Sequence, residues 1–110
     1  MSLSKAQREF ALDIADLIHF IYESGYEVTF GDAYRDPRVH GKLGEKRSYS
    51  SANSNHKRRL AVDLNLFKDG EYLTDGEAHR PFADYWEAIR PENRSGIRFN
   101  DANHYERNEL

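Results

Sequence analysis

The stretch Leu60-Ala61-Val62-Asp63-Leu64-Asn65-Leu66-Phe67-Lys68-Asp69-Gly70 alternates with a period of two: Leu60, Val62, Leu64 and Leu66 face one way, and Ala61, Asp63, Asn65 and Phe67 the other. Residues 60–67 therefore read as a strand, Lys68-Asp69-Gly70 as a turn, and residues 71–73 as a short returning strand, so the segment is a hairpin. Upstream, Tyr26, Val28 and Phe30 alternate with Glu27 and Thr29, as in a half-buried strand that ends near Gly31. Between Ser4 and Ser24 the apolar residues Phe10, Ile14, Leu17, Ile18 and Ile21 fall on one helical face. Ser4 with Gln7 fits a capping box, and Gly25 stands where a helix ends in a left-handed residue. Downstream, Phe82, Tyr85, Trp86 and Ile89 form a second amphipathic stripe, opened by Pro81 and closed before Pro91. A last short strand is expected around residues 97–99, followed by the polar segment 100–106. Helix, strand, long loop, hairpin, helix and strand together indicate an α+β fold with an antiparallel sheet and flanking helices.

The 110 residues suit one small domain, 1–110, with no separate binding module. Such a domain buries roughly 65% of the unfolded chain's surface. Hydrophobic residues make up 38%, a share unchanged when the seven Gly are counted in place of the seven Tyr. Ordinary domains reach about 45–50%, so the core is small. No apolar run approaches the roughly 20 residues of a membrane span, and the first residues lead into an amphipathic segment rather than a secretory signal. With no cysteine, disulfides, thiol nucleophiles and cysteine-based zinc sites are excluded, and any metal must be held by His and carboxylates.

The formal net charge of -3 conceals an asymmetry. Residues 35–59 hold eight basic side chains (Arg35, Arg38, Lys42, Lys46, Arg47, Lys57, Arg58, Arg59) against Asp36 and Glu45, a balance of +6, which leaves -9 for the remainder. A basic segment on an acidic body suits an anionic partner, although a solvated loop has the same composition. Residues 36–55 are polar and aperiodic, with Pro37, Gly41, Gly44 and the serine-rich run 48–54, and read as a functional loop.

Of five histidines, His19 lies off the apolar stripe of its helix and reads as a packed or surface residue, and His40 and His79 have no partner pattern. His56 and His104 differ, because each has a carboxylate at a useful distance. Asp63 stands in mid-strand on the face opposite the leucines, beside the small Ala61, and His56 ends the loop that feeds this strand. A carboxylate in an apolar strand requires compensation, which a metal cation, an arginine or a solvated sheet face would each supply. Asp101 precedes His104 by three residues, the spacing of a general base beside a metal ligand. Two His and one Asp leave a position open for water, as in catalytic zinc spheres.

Ser54–Asp63 resembles the S-x-H-x(6)-D signature of the zinc peptidases that include D-Ala-D-Ala carboxypeptidases, D-Ala-D-Ala dipeptidases and bacteriophage L-alanyl-D-glutamate endopeptidases, and Asp101-Ala102-Asn103-His104 resembles their acid-x-x-His element. The run from Arg59 to Gly70, and Val28-Thr29-Phe30-Gly31-Asp32-Ala33-Tyr34-Arg35, are similar to the short phage-type members. The likeness extends from about Tyr26 to Glu106, with its elements in the family's order. It implies the fold shared by DD-peptidases and Hedgehog domains, with Zn2+ held by His56, Asp63 and His104. Asp101 would be the general base that activates the attacking water and passes the proton to the leaving amine. Arg35 would contact the polarised carbonyl or a substrate carboxylate, and Ser54 would line the pocket. The chain departs from many relatives in having Arg59 where they carry Gly three residues after the first His. It also has Arg94-Ser95-Gly96-Ile97-Arg98-Phe99 where phage-type members often show Trp-Gly-Gly.

The resemblance thus implies a zinc metallopeptidase that hydrolyses the peptidoglycan stem peptide as an L-alanyl-D-glutamate endopeptidase, a phage endolysin. It would be made in the host bacterial cytoplasm without a signal peptide and act at the cell wall after release. A monomer is expected, with no nucleic acid and no membrane as partner. The alternatives are a D-Ala-D-Ala carboxypeptidase of the same family, a non-catalytic zinc module, and a nucleic-acid-acting metal protein whose basic loop tracks phosphates.

Overall fold

The computed structural model describes residues 2–46 and 54–108. In chain order the elements are α1 (Leu3–Glu23), β1 (Glu27–Phe30), the single helical turn α2 (Pro37–His40), β2 (Ala61–Lys68), β3 (Glu71–Tyr72), α3 (Arg80–Ile89), β4 (Asn93–Ser95) and β5 (His104–Arg107), with 3-10 turns at Asn55–Arg58, Gly76–His79 and Gly96–Phe99. The period-two stretch forms β2, and the sheet is built around it in the order β1-β2-β5-β4, with β3 also on β2 and every pairing antiparallel. This is the expected α+β architecture.

The alternation in β2 decides the two faces. Leu60, Val62, Leu64 and Leu66 are buried against Phe10, Ile14, Leu17 and Ile21 of α1 and Phe82 and Trp86 of α3, with Tyr105 of β5 in the same cluster. Each such side chain contributes about 1.5–3 kcal/mol by leaving water. Phe10 meets Trp86 edge to face with ring centroids 5.7 Å apart. The Trp86 indole Nε1–H donates to the Arg94 carbonyl (3.1 Å) and the Glu106 carbonyl (3.0 Å), which ties α3 to β4 and β5. Gly25 ends α1 in the left-handed region (φ +87), and Asp69 and Gly70 both take positive φ (52 and 79) in the two-residue hairpin turn, as its twist requires. Among the described residues no helix is long and apolar enough to cross a membrane.

Three expectations need correction. The cap of α1 is Ser2, whose hydroxyl accepts from Lys5 N–H (3.1 Å); Ser4 already lies inside the helix. Gln7 instead donates from Nε2 to the Arg58 carbonyl at 2.7 Å, docking the turn before β2 onto the helix. Residues 97–99 are not a strand. The Ser95 hydroxyl accepts from Ile97 N–H (3.1 Å) and winds Gly96–Phe99 into a 3-10 turn, with Phe99 70% exposed. The strands lie on either side of it, at β4 and β5. Of the loop 36–55, residues 36–40 and 54–55 enter helical turns or their caps, while Arg47 and most of the serine-rich run lie outside the described residues.

Candidate metal centre

The site lies on the sheet face opposite α1, and strand register builds it. Asp63 pairs with His104 and Ala61 with Glu106 across β2 and β5. Asp63 directs its own N–H to the Asp32 carbonyl and its carbonyl to Gly31 N–H, both at 2.8 Å, on the β1 side. Asp63 and His104 consequently face each other as a pair that exchanges no backbone hydrogen bonds, the arrangement in which opposed side chains come closest. His56 arrives from the 3-10 turn Asn55–Arg58, which Ser54 caps by accepting from His56 N–H at 3.2 Å. Arg59 closes that turn in the left-handed conformation (φ 59), the one a glycine favours, and its guanidinium lies over the Tyr34 ring at 4.3 Å.

Three donor atoms converge. His56 Nε2 is 3.2 Å from His104 Nδ1, and each lies 3.3 Å from Asp63 Oδ1. Ligands about 2.0–2.1 Å from a tetrahedral zinc stand roughly 3.3 Å from one another, so this donor triangle already has the edge lengths of such a sphere. The outer nitrogens are also engaged. His56 Nδ1–H donates to the Ala33 carbonyl (2.9 Å), and His104 Nε2 lies 2.7 Å from Glu106 Oε1. Nε2 of His56 and Nδ1 of His104 are thereby turned to the centre.

Burial disfavours charge on Asp63, but the His104 and His56 imidazoles beside it outweigh this and hold its carboxyl down at about 2. Glu106 is likewise held at about 2, burial being overcome by His104, Arg94 and Asn55. Burial would lower the His104 imidazole, yet Asp63 and Glu106 raise it to about 9. Both carboxylates are therefore ionised, and without a metal His104 carries the compensating proton.

All six residues singled out in the sequence meet here. Asp101 Oδ2 stands 3.9 Å from His104 Nδ1 on a side chain 60% exposed, at the rim of a cleft of about 570 Å³. Arg35 Nη2 is 4.0 Å from Asp63 Oδ2, its Nε donates to Asp32 Oδ2 (3.2 Å) and its Nη1 to Ser54 Oγ (3.4 Å). Arg35 and Ser54 both line the cleft. The basic segment contributes less than its charge suggested. Arg35 and Arg58 reach the cleft, but Arg38 is paired with Asp36, Lys57 with backbone carbonyls of residues 42 and 45, and Arg59 with Tyr34. Arg94, from outside that segment, also lines the cleft. Sequence reading missed Glu106 and Arg94. The available signal was the strand period, which places Glu106 on the same face as His104.

Compared with models of protein families and with curated proteins, the chain matches none. The donor set is two imidazole nitrogens and one carboxylate oxygen, without sulfur, and both imidazoles line the cleft. His56, Asp63 and His104 form a group that can hold a metal ion.

Proposed function

We propose that the protein is a zinc-dependent peptidase that hydrolyses the stem peptide of bacterial peptidoglycan, cutting the L-alanyl-D-glutamate bond as a phage endolysin. One observation carries the enzymatic half of this reading: of three donors at tetrahedral spacing, His56 and His104 line a cleft that also holds a carboxylate, Asp101, and a cation, Arg35. The resemblance of Ser54–Asp63 and of the stretch from Asp101 to His104 to wall peptidases supplies the substrate class. Zinc suits this donor set, and when bound it supplies a Lewis acid that polarises a carbonyl and acidifies a water.

The chain's own residues take the remaining roles. Asp101, exposed and next to His104, accepts the proton of the attacking water and returns it to the departing amine. Arg35, fixed by Asp32 and Ser54, presents positive charge where the carbonyl oxygen becomes negative, or to a substrate carboxylate. Arg58 adds positive charge to a cleft that would take a peptide rich in carboxylates, while the Arg94 guanidinium there is paired with Glu106.

Hydrolysis of purified peptidoglycan, with chelator and then with zinc restored, tests the reading. The expected result is activity that chelation removes and zinc returns, with fragment masses reporting cleavage between L-Ala and D-Glu. Release of terminal D-Ala would instead identify a carboxypeptidase. Asp101→Ala should lower turnover by about 10²–10⁴-fold while zinc still binds. Activity insensitive to chelation, or full activity in that variant, would overturn the mechanism.

A further inference from the structure

We infer that Glu106 is the positioning residue of the metal centre, holding His104 so that Nδ1 is the donor, and that Arg94 holds Glu106 in turn. The inference rests on the reading of His56, Asp63 and His104 as metal ligands. His104 and Glu106 lie on one face of β5, so the glutamate reaches back to the far side of the imidazole and meets Nε2 at 2.7 Å. Across the sheet from Glu106 stands Ala61, whose methyl leaves room for this bend. Arg94 pairs with Glu106 in the β4–β5 register and donates to the other oxygen, Oε2, from Nη2 (2.7 Å) and Nε (3.2 Å).

Two features separate this arrangement from an ordinary cross-strand ion pair. One carboxylate oxygen serves the imidazole and the other the guanidinium, with Asn55 as a further hydrogen-bond partner of the same group. The glutamate is also only 13% exposed although its arginine is half in solvent, and the imidazole it meets is 14% exposed. His56 receives the equivalent service from the neutral Ala33 carbonyl. An ionised carboxylate makes the imidazole it holds a more basic donor than a carbonyl does, and loss of such a partner typically weakens metal binding about 10- to 100-fold. His104 is accordingly the stronger imidazole ligand of the two, and its strength is borrowed from Glu106.

The test is zinc affinity against a competing chelator for the wild type, Glu106→Ala, Glu106→Gln and Arg94→Gln, with metal-free melting curves for each. Glu106→Ala should bind about 10- to 100-fold more weakly. Glu106→Gln keeps an acceptor but not the charge and should fall between, with a shifted visible spectrum of the cobalt-loaded protein. Arg94→Gln, which leaves the His104 contact in place, should lose less than Glu106→Ala. Nitrogen NMR of the cadmium-loaded wild type adds a readout that needs no variant: coupling to the metal at His104 Nδ1, with a slowly exchanging proton on Nε2. Coupling at Nε2, or variants that melt lower yet bind zinc as tightly as the wild type, would overturn the inference and leave the metal centre standing. A wild type that binds no zinc would overturn both.

Discussion

Gly96 is the residue on which the place of Asp101 depends. A Cβ added there would collide with the Asp101 carbonyl oxygen and lie 2.9 Å from His104 Cβ, and Asp101 N–H donates to the Gly96 carbonyl at 3.0 Å. The colliding atoms belong to backbone and to a proposed ligand, so they cannot yield cheaply. Gly96→Ala is expected to destabilise the fold by about 1–3 kcal/mol, the cost of overpacking. It should also displace Asp101 and lower wall hydrolysis at least about tenfold, as loss of a positioned base does. Denaturant melts and turnover measured on the same preparation check both. His79 governs a different property. It is buried with its Nδ1 2.7 Å from the Tyr105 hydroxyl, and burial lowers its imidazole to about 4 from an ordinary 6.5. Above pH 6.5 it is neutral whether folded or unfolded, so it makes stability no steeper there. As pH falls from about 6.5 to about 4 the unfolded chain takes up a proton that the folded chain refuses, and stability drops, by about 3 kcal/mol in all from this group. Denaturant melts across that range should show the slope, and His79→Gln should flatten it.

At the scale of elements, the sequence was legible where apolar periodicity alone builds the element. The stripe from Phe10 to Ile21 became α1, the leucine alternation became β2, and Pro81 with Trp86 became α3. It was illegible in β4 and β5, because all their inward positions but Tyr105 are polar: Asn93, Ser95 and Arg107 are buried, and Arg107 donates from Nη1 to Glu9 of α1 at 2.9 Å. A strand whose buried residues are charged or amide-bearing shows no hydrophobic signal, whereas Ile97 and Phe99 show one while lying on a 3-10 turn. The site divides the same way. His56, Asp63, Asp101 and His104 were visible as two short motifs, but the register that opposes Asp63 to His104 is non-local and left no mark within either. Glu106 went unremarked for the same reason, since its partners His104 and Arg94 are set by strand pairing. Trp86 enforces that pairing, because its single N–H serves carbonyls of both β4 and β5. Trp86→Phe keeps an aromatic ring and removes the donor, leaving a small void and two part-buried carbonyls short of one hydrogen bond each. It should cost about 2–4 kcal/mol. Amide exchange should show faster opening in β4 and β5 than in β1.

For the molecule as a whole, the metal would act as a staple that the fold does not need in order to form. The hydrophobic cluster of α1, α3, β2 and β5 lies on the opposite face of the sheet, and the ion pairs Arg107–Glu9 and Arg90–Asp13 (2.9 and 2.6 Å) join the two helices and β5 without touching the site. The metal-free centre is itself compensated, since His104 bears charge between the carboxylates of Asp63 and Glu106. Chelated protein is therefore expected to stay folded, unlike small zinc domains that unfold without their ion. The ligands still come from three separate places, the turn before β2, β2 itself and β5, so the unfolded chain offers no comparable site. Zinc at about 1,000 times its dissociation constant should then add about 4 kcal/mol to stability. In a domain of this size each kcal/mol moves the melting temperature by about 4–8 °C. Zinc should raise it by at least about 15 °C, a chelator should reverse the rise, and His104→Ala should abolish it while keeping a cooperative melt, below that of the chelated wild type because Asp63 and Glu106 lose their shared cation. A wild type whose melting temperature ignores zinc would count against the centre, and a chelated chain with no cooperative melt would make the ion part of the core.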